Sequence, residues 1–528
     1  MKKLAVLFLL LLALAAVASA QTGTIYGTVK DEQGLAVPGA RILVLATGER
    51  AGWEREMQAS ATGDFTFVSL PYGRYRVRIE VAGFQPYEET GVQVGQGSNI
   101  RIDALMKVGT LTEAISVEAP AVQVESRSTT LGAVVNEQQM VDLPLSGRNP
   151  VSLARILPGV TTVSAPTSAI NNRNAANLSV TGSRANANEF LFDGNNYNGI
   201  FRNTGMIYPN PDALAELKIL TNTYTAEYGR NAGAAVSVVT KSGTNALHGN
   251  LFEFLRNDAL NATPFFSPNN FLRQNQFGFT LGGPVVKNKT FFFGSYQGLR
   301  IRELRLFTGA TPPTALERQG DFSQTFSRGR LVTIKDPRTG QLFMDNRIPS
   351  VRIDPVAAKI LQTYVPQPNL PGGALVGTGP FPKTSDQYLI KIDHAFSPRH
   401  TLFGRYFRNK DSQDDPASGS NVPGYSPSTG IGTGQSLNVS DTFIFNPNLI
   451  NEARLSYTRF FSDTQNVPDV TLATLGSKIW APDPPALPNL SISGRFSLQA
   501  AIAGIQVDNI QQFTEKLSWI KGAHSLHL

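Results

Sequence analysis

The 528-residue chain has no cysteine. This excludes a disulfide framework, a thiol nucleophile and any cysteine-based zinc site. Charged residues make up only 16% of the chain, against a usual quarter. Past the N-terminus, no segment approaches the ~18 consecutive apolar residues that a helical membrane span requires. A membrane-bound form must therefore cross as strands. Catalytic signatures are missing as well: there is no H-E-x-x-H, G-x-S-x-G or G-x-x-x-x-G-K-[ST] pattern.

The few groups that could do chemistry are scattered. The five histidines, His248, His394, His400, His524 and His527, fall in or beside alternating segments and read as structural. His524 and His527 have a helical metal spacing, but on a strand they point to opposite faces. Glu88-Glu89 and Asp414-Asp415 sit in polar stretches where solvated charge is the default. Nothing in the spacing of the second pair requires calcium. We expect no cofactor, no metal and no enzyme activity. The net charge of +7 and pI near 9.4 come from dispersed Lys and Arg. Without a basic block or a nucleic-acid fold motif, they do not point to a nucleic-acid partner.

Gly, Asn, Ser, Thr and Phe are prominent instead, which suits strands joined by many turns, and the length predicts roughly two to four units. Residues 1–20 read as a cleaved secretory signal: a basic Met1-Lys2-Lys3 start, an apolar run over 4–17, and an Ala18-Ser19-Ala20 cleavage site. Residues 21–107 read as a β-sandwich with strands at 24–30, 40–46, 64–69, 73–81 and 98–105. In Gly73-Arg74-Tyr75-Arg76-Val77-Arg78-Ile79-Glu80-Val81, the apolar residues face a core and the charged ones face water.

A polar, β-prone segment follows at 108–125, with no evident partner inside the domain. From 126 to 245 come short segments rich in Asn and Gly. The stretch 210–257 reads helix, strand, strand: Asp212 can cap a short helix carrying Leu214, Leu217 and Leu220, and a β-branched strand follows at 234–240. After Leu247 the period is two. Phe277, Phe279 and Leu281 alternate with Gln276, Gly278 and Thr280; Tyr388, Ile390 and Ile392 with Lys391 and Asp393; and Ala453, Leu455 and Tyr457 with Arg454, Ser456 and Thr458. Phe513, Leu517 and Trp519 alternate in the same way, although Glu515 interrupts their face. Short connections at 282–289 and 397–400 contrast with long polar ones at about 301–384 and 410–435. That asymmetry is the habit of outer-membrane barrels.

Several motifs resemble TonB-dependent outer-membrane receptors. They include Glu216-Leu217-Lys218, Ala226-Glu227-Tyr228-Gly229-Arg230 and Val238-Val239-Thr240-Lys241-Ser242-Gly243-Thr244-Asn245. Further upstream are Val141-Asp142-Leu143-Pro144-Leu145-Ser146-Gly147-Arg148-Asn149, Leu157-Pro158-Gly159-Val160 and Leu178-Ser179-Val180-Thr181-Gly182-Ser183-Arg184. Gly27-Thr28-Val29, Pro38-Gly39-Ala40, Gly63-Asp64-Phe65 and Leu70-Pro71-Tyr72-Gly73 resemble the carboxypeptidase-regulatory-like domain with which the large Oar-like members begin. The region has no histidine and no catalytic zinc ligands, so a stalk or docking module is expected rather than a secreted carboxypeptidase.

The resemblance implies a mainly β protein in four parts: an N-terminal β-sandwich, a linker, an α+β plug domain (126–245), and the N-terminal part of a transmembrane antiparallel β-barrel (246–528). About eight candidate strands are visible, where a plugged receptor barrel uses about 22, so the chain reads as the N-terminal portion of a longer one. The resemblance also implies energised uptake of a bulky oligosaccharide, peptide or metal chelate. Its partners would be the inner-membrane TonB protein, outer-membrane lipid and an extracellular substrate. The alternative is an adhesion, structural or secretion-associated receptor without transport.

The TonB box would fall on Thr112, Glu113, Ala114, Ile115, Ser116 and Val117, the other reading being a plain linker strand. The role calls for an unpaired extended segment able to add to a partner's sheet. Substrate-facing plug loops would carry Asn172, Arg173, Asn174, Asn195, Asn196 and Tyr197, although Asn and Gly also cluster wherever turns need positive φ.

Overall fold

The structure, a computed structural model, describes residues 22–47, 54–109, 115–118, 131–143, 145–162, 178–200, 202–224, 228–262, 271–327, 329–417, 419–446, 448–466, 470–479, 487–501, 503–521 and 524–528. The secretory signal at 1–20 lies outside the described residues.

The N-terminal domain is built from β1 (Thr22–Asp31), β2 (Arg41–Thr47), β3 (Glu54–Gln58), β4 (Asp64–Pro71), β5 (Gly73–Glu80), β6 (Tyr87–Val94) and β7 (Asn99–Met106), with β8 (Ile115–Glu118) added. One sheet has the order β4-β1-β7 and the other β3-β2-β5-β6-β8. Tyr75, Val77 and Ile79 are fully buried between them. Arg76 and Arg78 stay in water, paired to Glu88 at 3.3 Å and Glu80 at 2.7 Å. Strands β3 and β6 escape a search for alternation because each carries charge where the pattern wants carbon. β6 turns Glu89 inward, where it accepts a 2.9 Å hydrogen bond from the Tyr87 hydroxyl.

Burial raises the pKa of Glu89, and the Tyr87 bond offsets this only in part. A carboxyl whose folded pKa is raised favours the fold most below the ordinary carboxylate range, and that support is lost as pH climbs through the raised value. Glu89→Gln should therefore stabilise the domain near neutral pH by roughly 0.5–2 kcal/mol and lose the gain near pH 4. Hydrogen exchange of the β6 amides in the full chain, read at both pH values, checks this.

The next unit holds β9 (Leu131–Asn136), β10 (Val160–Thr162), β11 (Leu178–Val180), β12 (Glu189–Phe192), β13 (Asn195–Asn196), β14 (Leu214–Asn222) and β15 (Ala235–Thr240). Five of them form one sheet, β13-β12-β15-β14-β9. A helix at Glu137–Asp142 starts with a reciprocal cap: Gln139 N donates to Asn136 Oδ1 at 2.9 Å and Asn136 N to Gln139 Oε1 at 3.1 Å.

The expected helix beginning at Asp212 is not there. A single 3₁₀ turn, Pro211–Ala213, gives way at once to β14. The spacing of Leu214, Leu217 and Leu220 imitates a helix because both faces of this strand are covered. Leu217 and Ile219 enter the core, while Glu216 and Lys218 meet the N-terminal domain.

The remainder is one large antiparallel sheet with an inserted cap. In chain order come β16 (His248–Asn257), β17 (Leu272–Val286), β18 (Thr290–Ala310), β19 (Phe326–Ser327), β20 (Arg330–Leu331), β21 (Leu375–Pro380), β22 (Lys383–Ser397), β23 (His400–Asp415), β24 (Ser428–Asn446), β25 (Leu449–Gln465), β26 (Leu490–Ile492), β27 (Phe496–Leu498), β28 (Gly504–Lys521) and β29 (His524–His527). The sheet order is β16-β17-β18-β22-β23-β24-β25-β28-β29, with β21 beside β18.

This sheet is inverted relative to a soluble sandwich. Phe279, Tyr388, Ile390, Leu455 and Phe513 are exposed on its outer face. Gln276, Lys391, Arg454, Ser456 and Lys516 are buried on the inner one. From the outward Asp386 to the outward Phe396 is ten residues, roughly 33 Å along the strand. At a tilt near 40° this spans the apolar band of about 25 Å found in such barrels.

The long connections depart from expectation. β18 runs to Ala310 and β24 begins at Ser428, so the strands reach further out than their sequence pattern does. Beyond them the connections do not hang as separate polar loops. Ile360, Leu375, Val422, Tyr425, Leu475 and Leu498 share one buried core. Arg318 reaches the carbonyls of Leu361 and Val365 at 2.7 Å, closing the end of the helix Pro355–Tyr364.

Candidate functional site

The plug grips the inner face of the wall through buried charge. After β12 the chain reverses at Asp193-Gly194, where both residues take positive φ (47° and 78°). This puts the Asp193 carboxylate, fully buried, at the tip of the turn. Its Oδ1 accepts from Thr240 N at 2.8 Å, and both oxygens lie 3.0 Å from Thr240 Oγ1.

The wall answers with three residues. Lys391, Arg405 and Asn438 stand directly opposite one another on β22, β23 and β24, so the alternation sends all three inward in a row. Arg405 Nε is 2.9 Å from Asp193 Oδ2, and its guanidinium lies 3.6 Å over the Phe192 ring. Asn438 Nδ2 donates to the Asp193 carbonyl at 3.1 Å, and Lys391 Nζ to Thr240 Oγ1 at 3.3 Å. Around this row, Phe293, Leu389, Phe407 and Phe460 of the wall join the plug core.

A second clamp joins Arg148 to Asp212 as a close, buried ion pair. Asn250 of β16 donates to the same aspartate at 2.7 Å, and the Arg148 guanidinium covers the ring of Phe254 at 4.3 Å. Arg148 and Asp212 lie 64 residues apart in the chain, so the pair gives the motif around Arg148 a physical purpose.

Of the residues expected to face substrate, Asn172, Arg173 and Asn174 lie outside the described residues. The other three lie within the plug or against the wall. Tyr197 is buried, packs at a tilt against Phe192 and Tyr208 at 5.0 and 5.3 Å, and donates to the Ile207 carbonyl at 3.0 Å. Asn195 is buried, and Asn196 exchanges two hydrogen bonds with Gln512 of β28, at 3.0 and 2.8 Å. Asn196 thus joins the plug to the wall, while Tyr197 packs within the plug. The Asn-rich run serves turns and replaces backbone partners, as when Asn198 accepts from Phe190 N at 2.8 Å.

Of the expected coupling segment, Thr112, Glu113 and Ala114 lie outside the described residues. Ile115, Ser116 and Val117 are not unpartnered. They form β8, which pairs in parallel with β6 in the register Tyr87↔Ile115 and Glu89↔Val117. β6 has β5 on only one side, and its open edge accepts this strand.

The N-terminal domain rests at the end of the wall where the connections are short. Val68 packs on Ile444 and Ile450, and Thr22 Oγ1 donates to Glu452 Oε1 at 3.2 Å. A cavity of about 380 Å³ remains between this domain, the plug and the wall, lined among others by Tyr72, Thr240, Lys391, Asp393 and Phe403.

Sequence reading missed Arg405 and Asn438 as anchors. The available signal was an arginine at an inward position of an alternating strand. Its partner lies 212 residues earlier, beyond the reach of any local pattern.

The chain matches the Outer membrane beta barrel domain family over residues 239–528, the TonB-dependent Receptor Plug Domain over 125–236 and the Carboxypeptidase regulatory-like domain over 24–107. It is 27% identical over 296 residues to the TonB-dependent transporter Oar of Myxococcus xanthus, a stretch covering 53% of this chain and 27% of that protein. Among solved structures it is similar to the outer membrane transporter YddB from Escherichia coli, with a TM-score of 0.46 and 14% identity over 75% of this chain and 47% of that one. It is also similar to the siderophore receptor PirA from Acinetobacter baumannii, with a TM-score of 0.34 and 13% identity over 75% of this chain and 55% of that one. The chain thus spans about a quarter of the curated relative it matches and about half of these solved structures.

Proposed function

The chain belongs to the outer-membrane β-barrel family, in its plugged, TonB-dependent-receptor form, and from that premise we propose that it works in energised import across the outer membrane. The observation that carries this reading is the inverted wall with its stopper. Carbon faces outward, polar groups face inward, and the inner face is filled by a domain held through buried ion pairs. A stopper anchored this firmly needs work to move it. The outer membrane has no nucleotide pool, so that work must come from the inner membrane through a periplasmic partner. The partner is TonB, and the segment it takes is Thr112 to Val117. The reading assigns no bond chemistry to any residue.

The substrate is a bulky solute, an oligosaccharide, peptide or metal chelate, met first by the folded cap and then by the plug. The cap also supports a second reading, surface adhesion without transport. De-energising the inner membrane separates the two, because adhesion would persist.

Because β8 is docked on β6, capture of the segment is an exchange of one sheet edge for another. The chain has no cysteine, so Val117→Cys introduces a single reactive thiol. In energised cells it should cross-link to a cysteine placed on the strand-pairing edge of TonB. Ile115→Pro, which removes a ladder donor, should cut the yield at least tenfold. Equal cross-linking in the proline variant would remove this segment from the coupling role.

A further inference from the structure

The N-terminal domain is bolted to the plug at the turn that follows β6. Gln96, in the turn between β6 and β7, is fully buried. Its backbone N donates to Glu216 Oε1 at 3.2 Å, and its backbone carbonyl accepts from Lys218 Nζ at 2.6 Å. Two side chains of opposite charge, two residues apart on one face of β14, thus hold both backbone polar groups of a single residue. Gly95 makes room for this, since a Cβ there would come within 2.8 Å of the Glu216 carboxylate. The Tyr72 hydroxyl adds a 3.2 Å bond to the Ala215 carbonyl. Charge-assisted bonds of this kind are about twice as strong as neutral ones.

We infer that the N-terminal domain is a second force-transmitting arm, through which a pull on the segment before the plug reaches β14. The inference rests on the coupling reading above. A pull on 112–117 loads the chain on both sides. Downstream it runs through 119–130 to β9, the edge strand of the plug sheet. Upstream it reaches the sandwich, which the Glu216 and Lys218 latch fastens to β14, the neighbour of β9. Acting on β9 alone, the pull would peel an edge strand one hydrogen bond at a time. Acting on both strands, it loads the seam between β14 and β15, where the sheet continues into the turn that holds Asp193.

The test reports plug movement without knowledge of the substrate. Ser237 lies buried on β15 opposite Lys218. With Ser237→Cys as the sole thiol in the full chain, cells are treated with a small charged maleimide. Labelling is expected in energised cells and lost in cells without TonB. Glu216→Ala with Lys218→Ala should lower labelling about tenfold while the Val117→Cys cross-link to TonB is kept. Equal labelling with the latch broken overturns the inference and leaves the coupling reading standing. Labelling of the intact latch that does not depend on TonB sinks both. Should the double variant fail to reach the membrane, Lys218→Met alone provides the same comparison.

Discussion

Arg405→Ala should unseat the plug. The substitution strands the Asp193 carboxylate, fully buried, without the guanidinium that lies 2.9 Å from it. Breaking one side of a buried pair costs about 3–5 kcal/mol, because the remaining charge stays desolvated. The loss extends beyond Coulomb energy. Arg405 also roofs the Phe192 ring at 3.6 Å, so a cavity opens where plug and wall share their core. Exchange of the β12 and β15 amides should accelerate by two to three orders of magnitude, on the scale of 1.4 kcal/mol per factor of ten. Cells carrying the variant should become sensitive to a large antibiotic that the outer membrane normally excludes.

The double variant Asp193→Leu with Arg405→Met decides why. If charge burial is the cause, replacing both partners by carbon should recover most of the loss, as it does for other buried pairs. If the Thr240 bonds to Asp193 carry part of the seat as well, the double variant will remain leaky. Those bonds, at 2.8 and 3.0 Å, disappear whenever the carboxylate does.

The parts legible in the sequence were those where one physical constraint acts alone. Strand β5 has one wet face and one dry face, so its alternation maps directly onto burial of Tyr75, Val77 and Ile79. The outward residues of the wall were equally readable, because lipid favours carbon on every second position. Strand β14 was misread because two constraints overlap on it. One face serves the plug core and the other takes the N-terminal domain, and the sum imitates a helix. The anchors Arg405 and Asn438 could be placed on the inner face but not given partners. A strand pattern states which side a residue faces and carries no information about what fills the lumen. For β8, edge pairing depends on an opening left by the order of strands in the sandwich, which exists only once the sheet is formed.

The same distinction governs the outer connections, whose apolar residues follow no period. Val422, Tyr425, Leu475 and Leu498 come from two different connections and meet only in space. Tyr425 is the sharpest probe of that meeting. It is fully buried, packs edge-on against Tyr364 at 5.0 Å, and bonds the Pro488 carbonyl, so it ties all three long connections together. Tyr425→Ala removes a large aromatic side chain from a closed core, at a cost of about 3–5 kcal/mol. If the cap is one cooperative unit, protease added outside cells should then cut within 311–374, 416–427 and 466–503 at similar, increased rates, while the wall and plug stay intact. Tyr425→Phe, which keeps the ring and loses only the hydroxyl, should cost about 1 kcal/mol and leave the cap resistant. Cleavage confined to 416–427 in the alanine variant would mean that the connections move independently. On the import reading, a solute could then enter past one of them, whereas a cooperative cap would have to open as a whole.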